Sequence, residues 1–378
     1  MSAGSGVGSD AGLGVGSGVG SGGELLPELP GILTAADVAA TARSIAAMQE
    51  PSGAIPWTPG GHTDIWNHVE AAMALLIGGQ RAAAERALLW ATTVQRVDGS
   101  WPMRIVAGEV DDHSGDSNAS AYLAVGAWHH WLVCRDPRFI DRLWPAVRSG
   151  LDWVVSMQLP WGGIAWAQGW SDAGVRGLRH NDALLAGSSS IYHALRAGVA
   201  LAELVGQPRP AWVAAGGRLA HAVAGHPDQF LDKSQFSMDW YYPILGGAVT
   251  GEDASSLLKS RWDDFVVPGL GIRCVDTDPW VTGAETCELA LALDCLGDRT
   301  RAITLVADAQ HLRTIEGAYW TGWVVPDQVF WPVEHTTYTA AAVLLAVDAL
   351  SDSTPGAGIL RGDGLPEFAR EPSPACGC

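Results

Sequence analysis

A short turn signature recurs along this chain at the ends of helical stretches, and it constrains the fold more than any other feature of the sequence. In each copy a glutamine is followed by a glycine and then by a tryptophan, as in Gln95, Gly99 and Trp101. Further copies begin at Gln49 and Gln158. One turn that recurs between helical stretches predicts a repeat architecture, in which each repeat is one supersecondary unit.

The stretches between these turns are predicted to be helices. They are rich in Ala and Leu, their apolar residues recur at helical spacing, and almost no alternating strand pattern is present. The chain is therefore expected to be all-α. The predicted helices cover residues 35–48, 65–77, 82–94, 119–133, 145–157, 189–205, 285–296, 302–311 and 337–350.

Two kinds of helix alternate, and the more apolar kind opens with polar residues. These openings lie near Asp64, Asp116, Ser188, Asp239, Thr282 and His335. They predict six helical hairpins that close into a ring with the apolar helices inside, which leaves no end repeat to cap. The expected fold is a single-domain (α/α)6 toroid over residues 30–351. Every inner helix would start at the same end of the ring, so the polar openings would converge on one mouth.

The two ends of the chain are expected to lie outside this domain. Residues 1–29 are rich in Gly and Ser and predict a disordered segment, and residues 352–378 predict a flexible tail. The N-terminus lacks the basic and apolar regions of a signal peptide, and the longest uncharged apolar run, residues 119–134, is short for a membrane span. The cysteines show no framework spacing. We expect a cytoplasmic protein with reduced thiols and no integral membrane segment.

The overall charge argues against two classes of partner. The chain carries a formal net charge of −18. An acidic surface repels nucleic acids and anionic lipid headgroups. A small-molecule ligand is therefore expected, with no nucleic-acid partner, and the sequence leaves a partner subunit open.

The turn signature of Gln95, Gly99 and Trp101 resembles the QW repeat of the terpenoid-cyclase and protein-prenyltransferase toroid superfamily. Residues 236–247 and 280–288 are similar to actinobacterial prenyltransferase-like proteins of that superfamily. The resemblance implies the toroid fold and an enzyme that acts on an isoprenoid or lipid-linked substrate in a central cavity. The same barrel also carries six-hairpin glycosidases, so the reaction has to be argued from the residues at the mouth.

Four acidic residues near the inner-helix starts are the candidate catalytic groups: Asp116, Asp239, Asp276 and Glu285. Acids in these positions can also simply cap helix N-termini. Several carboxyls in one funnel repel each other, however, and this raises a pKa and can produce a general acid near neutral pH. Asp239 is in addition flanked by aromatic residues, which would favour its protonated form.

Tryptophan is unusually abundant, with 18 residues against 6 Phe and 6 Tyr. Indole rings attract carbocations and also stack on sugar C–H faces, so both substrate classes fit an indole-lined cavity. The candidate substrate-binding residues are Trp66, Trp240, Tyr241, Trp280, Trp320, Trp331, Glu334 and His335.

No metal or cofactor is predicted as part of this site, although two groups of residues partly match known metal-binding motifs. Protein prenyltransferases hold zinc with an Asp-x-Cys pair and a later histidine, whereas Asp-rich motifs in isoprenoid synthases hold magnesium. The nearest matches are Cys274, Asp276 and His335 for zinc, with the pair in reverse order, and Asp111, Asp112 and Asp116 for magnesium.

Three functions therefore stay open. The first is a prenyltransferase-like or cyclase-like enzyme acting on an isoprenoid or lipid-linked substrate, although the DxDD acid motif of class II terpene cyclases is absent. The alternative is a six-hairpin glycosidase-like hydrolase or lyase with paired carboxylates, for example Asp116 and Asp239 or Asp239 and Glu285. The second alternative is a non-catalytic binding scaffold.

Overall fold

The structure is a computed structural model that describes residues 26–373 and residue 376. Most of the predicted disordered segment, residues 1–25, lies outside the described residues. The helices, in chain order, are α1 Ala35–Met48, α2 Ile65–Ile77, α3 Arg81–Thr93, α4 Ser117–Cys134, α5 Pro137–Ser156, α6 Leu185–Leu204, α7 Pro210–Gly225, α8 Ser237–Leu245, α9 Gly251–Ser260, α10 Trp262–Phe265, α11 Gly283–Cys295, α12 Arg299–Asp308 and α13 Thr337–Ser351.

Six of these helices form a closed inner ring, in the order α2, α4, α6, α8, α11 and α13, and α13 packs back against α2. The outer layer consists of α1, α3, α5, α7, α9 and α12, each packed on its own inner partner. The six-hairpin ring is the one that the repeat predicts. Closure explains why the inner helices are apolar on every side: in α2 all residues except Asn67 are buried.

The recurrent glutamines join neighbouring hairpins. The Gln95 side-chain amide donates to the carbonyl of Gly99, 2.9 Å away, and to that of Ala146 in α5, also 2.9 Å away. Gln49 and Gln158 repeat this arrangement, each bridging its own glycine turn and the next outer helix. The signature is therefore a device that fixes the spacing of successive outer helices.

The expected all-α class needs a correction, because two small antiparallel sheets occupy the loops before the inner helices. The first contains β1 His62–Thr63, β2 Pro102–Val106, β3 Glu109–Asp116, β4 Ala167–Trp170 and β5 Arg176–Arg179, hydrogen-bonded in that order. The second contains β6 Val266–Val267, β7 Gly271–Arg273, β8 Trp280–Thr282, β9 Gly322–Val324 and β10 Val329–Phe330. Most of these strands are too short for a two-residue alternation to show in the sequence.

The segment that follows α13 lies against the ring, where we expected a flexible tail over residues 352–378. Leu360, Leu365 and Phe368 are buried, and the Arg196 guanidinium donates to the carbonyl of Pro366 at 2.9 Å. Apolar side chains in this segment supply the contacts that a freely solvated tail would lack. Residues 374, 375, 377 and 378 lie outside the described part of the chain.

We predict that Gly99→Ala lowers the free energy of unfolding by about 3 kcal/mol, because the added methyl group would overlap the Ser149 carbonyl and Gly99 has a φ of 98°. Denaturant unfolding measures the loss. Gly108→Ala is the matched control: its φ is 84° but nothing lies within 4 Å of the new carbon, so about 1 kcal/mol is expected. Equal losses in the two variants would contradict the close packing of these turns.

Candidate functional site at the mouth of the ring

All six inner helices begin at one end of the ring, and this end forms the candidate site. The first sheet covers the loops before α2, α4 and α6, and the second covers those before α11 and α13. The two sheets thus stand on opposite halves of the mouth. Helix N-termini present free backbone N–H groups and a positive partial charge, which favours carboxylates and other hydrogen-bond acceptors there.

Every inner helix has, at or next to its first turn, a buried polar side-chain atom that lacks a hydrogen-bond partner among the described residues. A buried polar atom without a partner costs free energy, so these atoms could be satisfied by hydrogen bonds to a ligand. The atoms are Asn67 Oδ1, Asn118 Oδ1, Ser188 Oγ, Ser237 Oγ, Thr282 Oγ1 and His335 Nε2.

Asp64 and Asp116 cap the neighbouring helices α2 and α4. Asp64 uses both oxygens, accepting from the backbone N–H and the side-chain amide of Asn67 at 2.9 and 2.6 Å. Asp116 accepts from the backbone N–H of Ala119 at 2.7 Å through Oδ1. Burial, and to a smaller extent the charge of Asp64, raises the pKa of Asp116 to about 6. Asp116 therefore combines capping with the protonation behaviour of a general acid.

Asp239 lies in the first turn of α8 and accepts a hydrogen bond from the backbone N–H of Ala186 at 3.1 Å. Burial raises its pKa to about 6. It lines a pocket of about 430 Å³ together with residues of the 227–234 loop, the end of α9 and Arg261. This pocket includes outer-layer residues, so Asp239 sits towards the outer side of the mouth.

Glu285 and Asp276 occupy different environments on the second sheet's side. Glu285 is partly buried in the first turn of α11, where its charge helps to raise the pKa of Glu288 and of the Cys274 thiol. Asp276 is held at 2.6 Å by the guanidinium of Arg261. Glu285 therefore faces the inner ring, whereas Asp276 is engaged in an ion pair of the surrounding loops.

Three of the predicted substrate-binding residues belong to the buried interior. The Trp66 ring packs against tyrosines at the ring centre, with its centroid 5.3 Å from that of Tyr338. Tyr241 is fully buried. Trp240 is also buried, stacks on Phe265 at 5.3 Å and donates to the Leu257 carbonyl at 2.9 Å. Trp66 thus forms part of the floor below the mouth, whereas Trp240 joins α8 to the outer layer.

The other predicted substrate-binding residues form the rim on the second sheet. Trp331 is 54% exposed, and its carbonyl accepts from the Trp280 indole at 2.7 Å. The Trp320 ring packs on His335, with centroids 4.0 Å apart. Glu334 accepts from the Trp57 indole at 2.9 Å. Only Trp331 among these offers a largely free indole face.

The two metal patterns considered from the sequence do not assemble in the described residues. Two groups of described residues bring three ligand atoms within 4.8 Å of one another, and neither group includes residues of those patterns. Asp111 instead pairs with Arg104 at 2.8 Å, and Asp112 accepts from the backbone N–H of Ser114 at 2.9 Å.

A buried acid pair below the mouth was missed by the sequence analysis. Glu70 of α2 and Glu288 of α11 are only 3% and 2% exposed. Their one sequence signal is an acid in the middle of a helix that is predicted to lie inside the ring. Tyrosine hydroxyls from α4, α8 and α13 donate to them: Tyr122 to Glu70, and Tyr241, Tyr242 and Tyr338 to Glu288.

Burial raises the pKa of both glutamates. The charge of Glu288 adds to the rise at Glu70, and the charge of Glu285 adds to the rise at Glu288. Glu288 receives three hydroxyl donors, which stabilise its ionised form and partly offset this rise. Glu70 receives one donor, and its Oε2 has no partner among the described residues. We infer that Glu70 is the more strongly protonated member of the pair.

Comparison with known proteins identifies the family. No family model matches the chain. A relative from Mycolicibacterium hassiacum, the MMP endo-(1,4)-3-O-methyl-α-D-mannosidase, is 54% identical over 343 residues, which is 91% of this chain and 94% of the relative. The chain belongs to the family of this mannosidase.

Several solved structures share the fold of this chain at low sequence identity. A glycosidase variant in complex with glucose has a TM-score of 0.65 at 14% identity, covering 85% of this chain and 98% of its own. A GH63 mannosylglycerate hydrolase from Thermus thermophilus has a TM-score of 0.60 at 14% identity, covering 81% and 99%. A D-mannose isomerase has a TM-score of 0.63 at 11% identity, covering 82% and 96%. At these identities the likeness supports the six-hairpin fold.

The prediction of a prenyltransferase-like or terpene-cyclase-like enzyme is therefore wrong, and so is the family resemblance on which it was based. The mannosidase relative matches nearly the whole chain. The structure gives the physical reason for the error: the Gln, Gly and Trp signature fixes helix spacing and says nothing about chemistry.

No helix among the described residues has the length and apolarity needed to cross a membrane.

We predict that the acid pair makes the protein less stable as pH rises. The folded-state pKa of Glu288, about 8, lies above the ordinary value of 4.5, so stability present at low pH is lost as pH rises towards 8. Between about pH 6 and pH 9 the free energy of unfolding should fall by about 3 kcal/mol.

The variant carrying both Glu70→Gln and Glu288→Gln should lose this dependence, because the amides cannot ionise. Denaturant titrations at several pH values measure it, and Glu316→Gln, at an exposed position, is the control. An unchanged pH slope in the double variant would contradict the assignment.

Proposed function

We propose that this protein is an endo-acting glycoside hydrolase that cleaves an α-(1,4)-linked mannose chain bearing 3-O-methyl groups. The observation that carries the proposal is the 54% identity, over nearly the whole chain, to a mannosidase of that specificity. The mouth supports it, because it combines carboxylates, unpartnered buried polar atoms and rim indoles. Sugar sites are built from groups of these kinds.

The position of the sheets supports internal cleavage. One sheet stands over α2, α4 and α6, and the other over α11 and α13. A groove between them would cross the mouth and allow a polysaccharide to extend in both directions from the bond that is cut. The pocket beside Asp239, of about 430 Å³, lies at the α8 end of such a groove and offers a sugar subsite.

Asp116 is the proposed general acid. Its pKa of about 6 leaves part of the protein with a proton on this carboxyl near neutral pH, and only one of its oxygens is engaged by the helix cap. It would donate that proton to the glycosidic oxygen as the bond to the anomeric carbon breaks. Asp64 is less suited, because both of its oxygens already accept hydrogen bonds.

Glu285 is the proposed general base. It lies in the first turn of α11, and α11 is the helix opposite α4 in the ring. A carboxylate on the far side of the sugar leaves room for a water molecule, whose oxygen bonds to the anomeric carbon while its proton passes to Glu285. This arrangement favours inversion of the anomeric configuration.

Removing either carboxyl should abolish most activity while leaving the fold intact. Asp116→Asn and Glu285→Gln are each expected to lower kcat on a 3-O-methylated α-(1,4)-mannan by about 10³-fold. Asp278→Asn, at an exposed loop position beside the same mouth, is the matched control and should retain near wild-type activity. Circular dichroism and Tm verify folding.

The proposal fails if wild-type protein releases no oligosaccharides from this substrate, or if Asp116→Asn hydrolyses it at the wild-type rate. NMR of the initial product tests the stereochemistry, and retention would exclude Glu285 as a base acting through water.

The pH dependence of hydrolysis should report the proton on Asp116. Because the acid must be protonated, kcat/KM is expected to fall about tenfold per pH unit above the pKa of about 6. The charge of Asp64 contributes to that raised pKa, so Asp64→Asn should move the alkaline limb to lower pH. Asparagine also caps helices well, so α2 should be preserved. A limb that does not move would contradict the proposed coupling.

A further inference from the structure

Three metal-binding side chains converge on the outer edge of the molecule, apart from the carboxylates of the mouth. His221 lies in the last turns of α7, and His226 is the residue that ends this helix. Cys376 approaches them from the C-terminal segment. Its Sγ lies 3.0 Å from His226 Nε2 and 3.3 Å from His221 Nε2, and the two Nε2 atoms are 3.3 Å apart.

The C-terminal segment is guided to this place by close packing on α7. Phe368 and Ala369 lie where a β-carbon at Gly216 or Gly217 would stand, so two adjacent glycines form the groove in which the segment runs. The Glu371 N–H donates to the Gly217 carbonyl at 3.2 Å, and the Ser373 hydroxyl donates to the Pro160 carbonyl. Cys376 therefore follows a stretch of chain that is already packed against α7 and the loop after α5.

The spacing of the three atoms matches a metal coordination sphere. Zinc bonds of about 2.0–2.1 Å to histidine and about 2.3 Å to cysteine place tetrahedral ligand atoms about 3.3–3.7 Å apart. The observed separations of 3.0–3.3 Å lie at or just below that range. Imidazole nitrogen with thiolate sulfur selects zinc or a similar transition metal over magnesium or calcium.

We propose that His221, His226 and Cys376 form a structural zinc site that fastens the C-terminal segment to the end of α7. On binding, the Cys376 thiol releases one proton to solvent and the two imidazoles coordinate in their neutral form. The sequence places a further thiol, Cys378, two residues beyond Cys376. The site does not depend on the proposed hydrolase function.

A metal at this place would also hold the loop that lines the pocket beside Asp239. The loop that begins at Pro227, directly after His226, lines the pocket of about 430 Å³ beside Asp239. Phe230 of this loop packs edge-on against Trp161, 4.9 Å between centroids. A metal at His226 would therefore tie both the C-terminal segment and this loop to the same helix end.

Glu85, His130 and Cys134 form a second group with close ligand atoms, and it makes a useful control. The Glu85 carboxylate is already paired with Arg81 at 2.7 Å and with His130 at 3.1 Å. Cys134→Ser thus removes a thiol from a comparable cluster without touching the proposed zinc site.

The test uses full-length protein purified without added chelator, with its zinc content measured by inductively coupled plasma mass spectrometry. We expect about one zinc per chain in the wild type and in Cys134→Ser, and less than a tenth of that in Cys376→Ser and in His226→Gln. Metal-free wild-type protein titrated with Co²⁺ should develop the sulfur-to-cobalt charge-transfer band and the visible bands of tetrahedral cobalt, and Cys376→Ser should not. Chelation should lower the Tm of the wild type but not that of Cys376→Ser.

Wild-type protein that holds no zinc and gives no charge-transfer band with Co²⁺ would overturn the proposal. Retention of zinc in both Cys376→Ser and His226→Gln, with loss in Cys134→Ser, would place the metal at the second group and overturn it equally. Since His226 is only half-buried whereas Cys376 is buried, His226→Gln keeps the test decisive if Cys376→Ser folds poorly. Hydrolysis of the mannan is measured separately, so failure of one proposal leaves the other standing.

Discussion

The hydrogen bonds between buried glutamates and tyrosines at the ring centre are the interaction on which the rest of this structure depends. Glu70 and Glu288 receive hydroxyl donors from three other inner helices, so five of the six inner helices contribute to these two hydrogen-bonded groups at the ring centre. Directional hydrogen bonds fix register in a way that Ala and Leu packing alone does not. The Trp66 ring, which forms part of the floor, packs on three of the same tyrosines. The positions of the helix starts at the mouth above depend on this packing.

Outside this centre, the recurrent glutamines set the spacing of the hairpins. Each bridges a glycine turn and the next outer helix, so successive hairpins are joined by the same pair of hydrogen bonds. Any chain that builds a ring of helical hairpins can use this device. The QW-like signature therefore indicated the architecture correctly while its link to isoprenoid chemistry was misleading.

The mouth shows how far a sequence can indicate a site. The sequence suggested Asp116 and Glu285 as candidates because they stand in or next to the first turn of apolar helices, and the ring brings such turns together. Asp276 had the same sequence context, yet Arg261 holds it in a loop ion pair. Trp240 was expected in the cavity; its ring stacks on Phe265 towards the outer layer, and it lines the pocket beside Asp239 instead of the centre of the ring. Helical periodicity does not say which side of a short helix faces the axis when both sides are buried.

The sequence by itself determined the repeat, the count of hairpins and the end of the ring at which polar residues gather, because these follow from local helical periodicity and turn residues. Only the tertiary structure decided which acids are buried, which form ion pairs and which lie close enough to another acid to shift its pKa. Burial and charge proximity depend on residues far apart in the chain: Glu70 and Glu288 are 218 positions apart in the sequence, and His226 and Cys376 are 150 positions apart. The pKa of a carboxyl and the assembly of a ligand set are properties of that packing, so no local pattern could specify them.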